Sequence, residues 1–275
     1  MSFLEAIILG LIQGLTEFLP ISSSAHVQIA QELLGLSELS KPELTAFIAT
    51  IQIGTELAVI SYFFKTILDI LRAWFTSGFK PWSAQSGEAR LGWLIIIGTL
   101  PIAVLGVAFQ QQVENDVRQL WVIGVTLIVF GVLLGLADYL GKKRKPLEEL
   151  SIGSGIAFGL GQALALIPGV SRSGGSITVG LLLGFTREAA ARYSFLLAIP
   201  AVLAAGSYQF ISSFGDLPAD LLLGTLVATA VSFVSGYAVI AWLLSYLNRG
   251  SFLPFVIWRV LVGSLLLLAL GLGAI

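Results

Sequence analysis

The stretch 10–26, GLIQGLTEFLPISSSAH, decides the fold, because an apolar helical segment is interrupted there by a proline and three consecutive serines. A second stretch, 159–175, reads GLGQALALIPGVSRSGG and repeats the pattern in the other half of the chain. The matched positions are Gln13 with Gln162, Ser22 with Ser171, Ser23 with Arg172, and Ser24 with Ser173. We interpret the match as an internal duplication of roughly residues 1–140 on residues 150–272.

The composition is typical of a membrane protein. Hydrophobic residues make up 56% of the 275 residues, charged residues only 11%, and the mean hydropathy is +0.93. A soluble domain has about 25% charged residues, and a helix needs roughly 20 apolar residues to cross a bilayer. Long apolar runs lie near 45–64, 91–109, 121–140, 190–211, 220–244 and 252–272. The sequence therefore predicts an all-α polytopic membrane protein, one domain over 1–275, with about six transmembrane helices.

Two further apolar regions, 1–34 and 151–185, are each broken in the middle and contain the two matched stretches. Non-helical backbone at membrane depth is tolerated only where protein buries it or where it lines a cavity. We therefore predict that each region is a re-entrant helical hairpin, followed in each half of the chain by three spans.

Lysine and arginine placement predicts the orientation, since cytoplasmic loops carry an excess of both. The predicted cytoplasmic loops are 65–90, 141–146, 186–189 and 245–251. These loops and their flanks hold most of the positive charges, whereas the opposite side keeps only Lys41 and Arg118. The first hairpin then enters from outside and the second from the cytoplasm. The halves are predicted to be inverted repeats whose breaks meet near the membrane midplane.

Several classes of site and partner are excluded or disfavoured by composition. The chain has no cysteine, so disulfides, thiolate metal sites and cysteine nucleophiles are excluded. With a net charge of −1 and no basic tail, no nucleic-acid partner is expected. The N-terminus lacks the basic region and cleavage site of a signal peptide, so we expect it to be retained.

The two breaks are predicted to form an anion site. Ser22 can cap the helix that follows the first break, and Ser171 or Ser173 can cap the helix that follows the second. Two helix N-termini would then point into one cavity, where their free N–H groups and dipoles favour phosphate. Arg172 adds a fixed charge with a planar fork, and glycines such as Gly174 let the backbone approach a ligand.

Glu17 and His26 suggest chemistry beyond anion binding. Glu17 follows Gln13 by four residues, so both lie on one helix face, and a carboxylate at bilayer depth costs roughly 2.5–3.5 kcal/mol. A carboxylate would repel phosphate unless it is protonated, paired with Arg172 or bridged by a divalent cation. Carboxylate, imidazole, hydroxyl and guanidinium together are the groups that phosphoryl transfer uses.

The two stretches resemble the signature motifs of the undecaprenyl-diphosphate phosphatase family, the bacitracin-resistance proteins. The resemblance implies hydrolysis of undecaprenyl diphosphate to undecaprenyl phosphate on the outer face of the cytoplasmic (inner) membrane, which recycles the lipid carrier of peptidoglycan synthesis. It implies catalytic or diphosphate-binding roles for Glu17, Ser23, His26 and Arg172. It also implies a divalent cation, Mg²⁺ or Ca²⁺, although glutamine at position 13, where glutamate is commoner, leaves Glu17 as its one acidic anchor.

Within this resemblance, Ser23 is the candidate nucleophile, with His26, or a water that His26 activates, as the alternative. Gln13 and Gly174 are predicted to bind substrate, together with the remaining serines of the two motifs. Those serines are Ser22, Ser24, Ser171 and Ser173.

Other polar residues are expected to be structural. Glu56 is interpreted as an interior structural acid, and Arg259 and Asp138 are expected to extend toward the membrane surface from helix ends. The exposed helix faces would permit a homodimer. The alternative function is an inverted-repeat transporter or flippase for a lipid phosphate or another anion, because such transporters also place broken helices at the midplane.

Overall fold

The computed structural model describes residues 1–36, 40–109, 119–213 and 215–274, and it is built from α-helices. Arg118, which the topology prediction uses, lies outside these residues. In chain order the helices are α1 Phe3–Glu17, α2 Ser23–Leu33, α3 Lys41–Tyr62, α4 Phe64–Ser77, α5 Gly87–Ala108, α6 Leu120–Leu140, α7 Ile152–Ala163, α8 Arg172–Leu182, α9 Arg187–Ser213, α10 Leu222–Leu247 and α11 Leu253–Gly271. Within the described residues no β-strand occurs beyond an isolated bridge between Lys145 and Phe185.

Six of these helices are long and apolar enough to cross a membrane, namely α3, α5, α6, α9, α10 and α11. They coincide with the six predicted spans, which confirms an all-α polytopic membrane protein. Helix α4 lies in the loop predicted over 65–90, directly after the end of α3 at Tyr62. The hydropathy pattern did not predict this shorter helix, because its apolar residues cover one face only.

The helices of the two halves pack against each other in matching pairs. Helix α1 of the first hairpin packs on α10, and α7 of the second hairpin packs on α5. Both contacts use a glycine at the same motif position. A Cβ at Gly10 would overlap the carbonyl of Ala228, and a Cβ at Gly159 would overlap the carbonyl of Gly98. A duplicated unit would give such a pattern, and the duplication stays a prediction.

Each hairpin is interrupted where the sequence predicts it. Helix α1 ends at Glu17 and α2 begins at Ser23, while α7 ends at Ala163 and α8 begins at Arg172. Ser22 and Ser171 are the N-cap residues, with φ of 75° and 74°, a left-handed conformation that non-glycine residues rarely adopt. The same backbone device therefore starts α2 and α8.

Asp138 is a buried ion-pair partner, so the expectation that it extends to the membrane surface is wrong. Its Oδ1 accepts a hydrogen bond of 2.6 Å from Nε of Arg187 at the start of α9. Its Oδ2 accepts a bond of 3.0 Å from the N–H of Phe252, just before α11. Asp138 thereby joins the end of α6 to the starts of α9 and α11. A buried carboxylate needs a positively charged partner and hydrogen-bond donors, and these two contacts supply both.

Candidate active site

A cavity of about 360 Å³ opens where the two hairpins meet. Its volume lies in the range of small-molecule binding sites, about 300–1,000 Å³. Seven of the predicted site residues line it: Gln13, Glu17, Ser22, Ser23, Ser24, Ser171 and Arg172. The structure thus brings side chains of α1 and α2 together with side chains at the start of α8, which lie more than 140 positions later in the sequence.

Glu17 is the centre of the polar contacts in this cavity. Its Oε1 forms an ion pair with the guanidinium of Arg172. Its Oε2 accepts hydrogen bonds from Nε2 of Gln13, at 2.9 Å, and from Oγ of Ser23, at 2.5 Å. The sequence left three ways to avoid repulsion between Glu17 and a bound phosphate: protonation, pairing with Arg172 or a bridging cation. In this structure Glu17 is paired with Arg172.

The contact between Ser23 and Glu17 has the geometry of a nucleophile and its base. A serine hydroxyl is a weak nucleophile until a neighbouring group takes its proton, and 2.5 Å is within reach of such a transfer. The other hydroxyls of the break point elsewhere, since Oγ of Ser24 lies 3.2 Å from Oγ of Ser22. Ser23 is the one serine of the first motif that contacts the carboxylate.

Helices α2 and α8 both begin at the cavity, so their N-termini lie next to it. Oγ of Ser22 accepts the N–H of Ala25 at 3.4 Å, and Oγ of Ser171 accepts the N–H of Gly174 at 3.1 Å. One capping side chain satisfies one of the four amides that a helix start leaves open. The helix dipoles add partial positive charge at the same place. Together with Arg172 these ends can hold an anion.

His26 lies near the cavity but is not among the residues that line it. Its Nε2 accepts a hydrogen bond of 2.7 Å from the indole N–H of Trp258 in α11, and the planes of the two rings are 11° apart. Since Nε2 accepts, Nδ1 carries the proton and donates to the carbonyl of Ser22 at 2.8 Å. Both ring nitrogens are therefore engaged away from Glu17, and the catalytic role of His26 stays a prediction.

Ser173 and Gly174 face the protein in this structure. Oγ of Ser173 donates to the carbonyl of Leu19 at 3.1 Å, which ties α8 to the first break. The N–H of Gly174 is bonded to Ser171, and a Cβ at Gly174 would crowd the guanidinium of Arg259. Their predicted substrate-binding roles remain predictions. The observed contacts show that both residues help to hold the two breaks together.

A family model described as bacitracin resistance protein BacA matches residues 6–265. The chain belongs to this family. It is 52% identical to an undecaprenyl-diphosphatase of Micrococcus luteus, over 100% of this chain and 99% of the relative. It is 53% identical to an undecaprenyl-diphosphatase of a Nocardioides species, over 99% and 98%. It is also 51% identical to undecaprenyl-diphosphatase 2 of Agrobacterium fabrum, over 100% and 98%.

The site of this BacA-family protein offers oxygen donors to a cation. Within the described residues no group of three or more His, Cys, Asp or Glu side chains could hold a metal ion. The cavity does contain the carboxylate of Glu17, the amide of Gln13 and several serine hydroxyls. Such hard donors suit Mg²⁺ or Ca²⁺, and Mg²⁺ often takes one carboxylate together with substrate phosphates. These donors therefore fit a cation whose remaining ligands would be oxygens of a bound diphosphate.

Arg259 is buried between the two breaks, so the expectation that it extends to the membrane surface is wrong. Its guanidinium is fully buried and donates to the carbonyls of Pro20 and Val170 at 3.0 Å and of Gly169 at 2.8 Å. It also donates to carbonyls of α6, at Leu127 and Thr126. A single side chain thus binds the backbone of both breaks, where helix interruption leaves carbonyls without partners.

Two residues of α11 have roles that the sequence did not predict, since Arg259 was expected at the membrane surface and Trp258 was not singled out. An arginine inside an apolar span was a signal for Arg259, since an ionisable residue in a membrane span is functional by default. Its position near one end of the predicted span favoured the wrong interpretation. For Trp258 the sequence offers no signal, because a tryptophan in a span is ordinary and its bond to His26 joins residues 232 positions apart.

Proposed function

We propose that this BacA-family protein hydrolyses undecaprenyl diphosphate to undecaprenyl phosphate and inorganic phosphate, and that it thereby recycles the lipid carrier of peptidoglycan synthesis and confers bacitracin resistance. Relatives about 50% identical over the full chain are named for this diphosphatase activity. The observation that carries the proposal is one set of contacts, in which Glu17 joins the hydroxyl of Ser23 to the guanidinium of Arg172 inside the cavity.

Arg172 and the two helix N-termini would bind the terminal phosphate. An arginine fork binds phosphate oxygens through two parallel N–H bonds, and the starts of α2 and α8 favour negative charge. Because Arg172 is already paired with Glu17, the incoming diphosphate would compete for the guanidinium. Substrate binding would therefore loosen the hold of Arg172 on Glu17 and leave the carboxylate free to act as a base.

Ser23 would then attack the terminal phosphorus. Its O–H proton passes to Oε2 of Glu17, a bond forms between Oγ and phosphorus, and the bond from phosphorus to the bridging oxygen breaks. Undecaprenyl phosphate leaves with the electron pair of that bond. Glu17 passes the proton that it took from Ser23 to the departing undecaprenyl phosphate and becomes a carboxylate again. In the second half of the reaction a water gives one proton to Glu17, its oxygen bonds to phosphorus, and the bond from phosphorus to Oγ of Ser23 breaks. Oγ then takes the proton back from Glu17, and inorganic phosphate is released. A water that attacks the diphosphate directly would need the same base.

The part of the apolar tail nearest the diphosphate would lie in a second, almost entirely apolar cavity between α5 and α7. This cavity measures about 610 Å³, and its lining includes Leu105, Phe109, Leu160 and Ile167. Leu166 lines both this cavity and the polar one, so the two are neighbours. A polyprenyl diphosphate has the matching division, with an apolar chain attached to a highly charged head.

A divalent cation and a membrane orientation complete the proposal. Glu17 and the diphosphate oxygens would hold Mg²⁺ or Ca²⁺, which would neutralise part of the substrate charge. The protein would reside in the cytoplasmic membrane, surrounded by its lipids, with the polar cavity open to the outer side. Thr45 and Gln209 line this cavity and lie at the helix ends that the loop charges assign to that side.

Phosphate release from undecaprenyl diphosphate by the purified protein tests the proposed function. The wild type is expected to release phosphate, and Ser23→Ala is expected to release almost none. Well-folded wild-type protein that binds the lipid but releases no phosphate would contradict the hydrolase. If such protein moved the lipid across a vesicle membrane, a flippase would be the better account.

A further inference from the structure

Glu56 is a second buried acid behind the candidate active site. It lies in the middle of α3 and is only 5% exposed. Its Oε1 has no hydrogen-bond partner among the described residues. Buried polar atoms in proteins nearly always have a partner, and one without a partner requires an explanation. In a membrane protein such an acid is a candidate for function by default.

The fold makes room for this carboxyl group. Gly206 of α9 is buried directly against it, and a Cβ added at Gly206 would overlap Oε1 of Glu56. A larger residue at this position would push the carboxyl group aside. The absence of a side chain at Gly206 therefore leaves the space that the carboxyl group of Glu56 occupies. A purely apolar contact between α3 and α9 would not require a glycine at this position.

Glu56 lines a small inner cavity. The volume of this cavity is about 20 Å³, which is enough for one water molecule. Glu56, Glu17 and Arg172 line it together, and so do Ser173 and Ser194. Glu17 and Arg172 also line the large cavity, so the ion pair forms the wall between the two. Glu56 thus faces the ion pair from the side opposite to the substrate.

A cation in this inner cavity is disfavoured because Arg172 already brings a positive charge to it. A neutral water suits the site better, since it can donate to the carboxyl group of Glu56 and accept from the guanidinium. The guanidinium has five N–H donors, and among the described residues its one hydrogen-bonding partner is Glu17. A water held by Glu56 would satisfy a donor on the inner edge.

We propose that Glu56 is a positioning residue for Arg172, which it holds through a water in the inner cavity while the outer edge of the guanidinium binds the diphosphate. When Arg172 turns from Glu17 to the substrate, the water link fixes the direction of its fork. Small errors in such placement are costly, because bidentate contacts to phosphate depend on geometry. This inference deepens the proposed function and rests on it for the identity of the anion.

Two substitutions separate this positioning role from other roles of the carboxyl group. Glu56→Gln keeps the shape and an oxygen that can hold the water, so it should bind a diphosphate within about twofold of the wild type. Glu56→Met keeps the length and removes the polar group, so it should weaken binding about tenfold. In turnover assays most of the loss in Glu56→Met is expected in KM. Its thermal stability should stay close to that of the wild type, because the loss of the water-mediated bond is offset by the removal of a buried carboxyl group whose Oε1 has no partner among the described residues.

Gly206→Ala offers an independent variant. The added methyl group should displace the carboxyl group of Glu56 from its place and weaken diphosphate binding by a similar factor. Combined with Glu56→Met, it should then cause little further loss, because both changes remove the same link. Glu88→Gln and Glu88→Met are the matched controls, since Glu88 is an exposed acid in the first turn of α5.

The test is the affinity of each purified variant for farnesyl methylenediphosphonate, a prenyl diphosphate analogue that cannot be hydrolysed, measured by calorimetry. Tenfold weaker binding in Glu56→Met with rescue in Glu56→Gln supports the proposal. Wild-type affinity in Glu56→Met would overturn it, and so would equal losses in both variants, which would indicate a role for charge or proton exchange. Because binding is measured without turnover, a failure of the proposed hydrolysis would be seen separately, in the phosphate-release assay.

Discussion

The guanidinium of Arg172, at the first position of α8, is paired with the carboxylate of Glu17, at the last position of α1. This ion pair joins the two hairpins across 155 positions of sequence. It also places the guanidinium that we propose to bind phosphate in direct contact with the carboxylate that we propose as the base. The order of events in the proposed reaction follows from this contact, since the phosphate must draw Arg172 away before Glu17 can accept a proton.

The shape of the Arg172 side chain should matter as much as its charge. Arg172→Lys keeps the positive charge but loses the planar fork, so we expect kcat/KM for undecaprenyl diphosphate to fall by about tenfold or more. Arg172→Ala should lose more, because it also leaves Glu17 without its counter-ion. Arg249→Lys, at an exposed position after α10, is the control. A wild-type kcat/KM in Arg172→Lys would contradict the phosphate clamp.

The two neighbouring serines of α2 should differ in their effect on turnover. Ser23 contacts Glu17 whereas Ser24 contacts Ser22. We therefore expect Ser23→Ala to lower kcat by about a hundredfold or more, and Ser24→Ala to lower it by less than about tenfold. Rapid quenching followed by mass spectrometry should detect phosphate on Ser23 in the wild type. Full turnover by Ser23→Ala would favour direct attack by water.

His26 and Trp258 should behave as one unit. Trp258→Phe keeps an aromatic ring and removes the N–H that His26 accepts, while His26→Gln removes the acceptor ring. We expect both variants to reduce kcat to a similar extent, and the double variant to be little worse than either, because each single change already disrupts the contact between the two rings. If well-folded His26→Gln is inactive while Trp258→Phe retains turnover, His26 takes part in the chemistry itself.

Arg259 should be essential for stability. Arg259→Lys has three N–H donors in place of five, so it cannot replace all five bonds and leaves buried carbonyls without donors. We expect a loss of about 3 kcal/mol or more in the free energy of unfolding. The loss should appear as a lower melting temperature in detergent, with Arg249→Lys as the control. An unchanged melting temperature would show that the two breaks hold together without these bonds.

Removal of divalent cations should slow the reaction. If a cation neutralises the diphosphate at Glu17, treatment with a chelator is expected to lower phosphate release strongly, and added Mg²⁺ or Ca²⁺ should restore it. Binding of inorganic phosphate by the chelated protein should persist, because Arg172 and the helix N-termini do not depend on the ion. Full activity at saturating chelator would remove the cation from the proposal.

The pattern of the sequence determined the spans, the breaks and seven of the residues that line the cavity. Hydropathy locates a span because every residue of a lipid-exposed helix must be compatible with hydrocarbon. The breaks could be predicted because Pro20 and the capping serines Ser22 and Ser171 act on their own backbone. The match between the two motifs then predicted that Glu17 and Arg172 would lie close together, although the sequence could not show that they pair.

Only the tertiary structure decided the partners of the remaining polar groups. Arg259 holds the two breaks together because carbonyls of both breaks and of α6 surround its guanidinium. No local pattern in the sequence predicts that these carbonyls lie close to one another. In the same way, Trp258 takes the free nitrogen of His26, and Gly206 leaves space for Glu56. These partners come from helices distant in the sequence. A hydrogen bond depends on the direction of approach as well as on residue type, and that direction is set by how the helices pack.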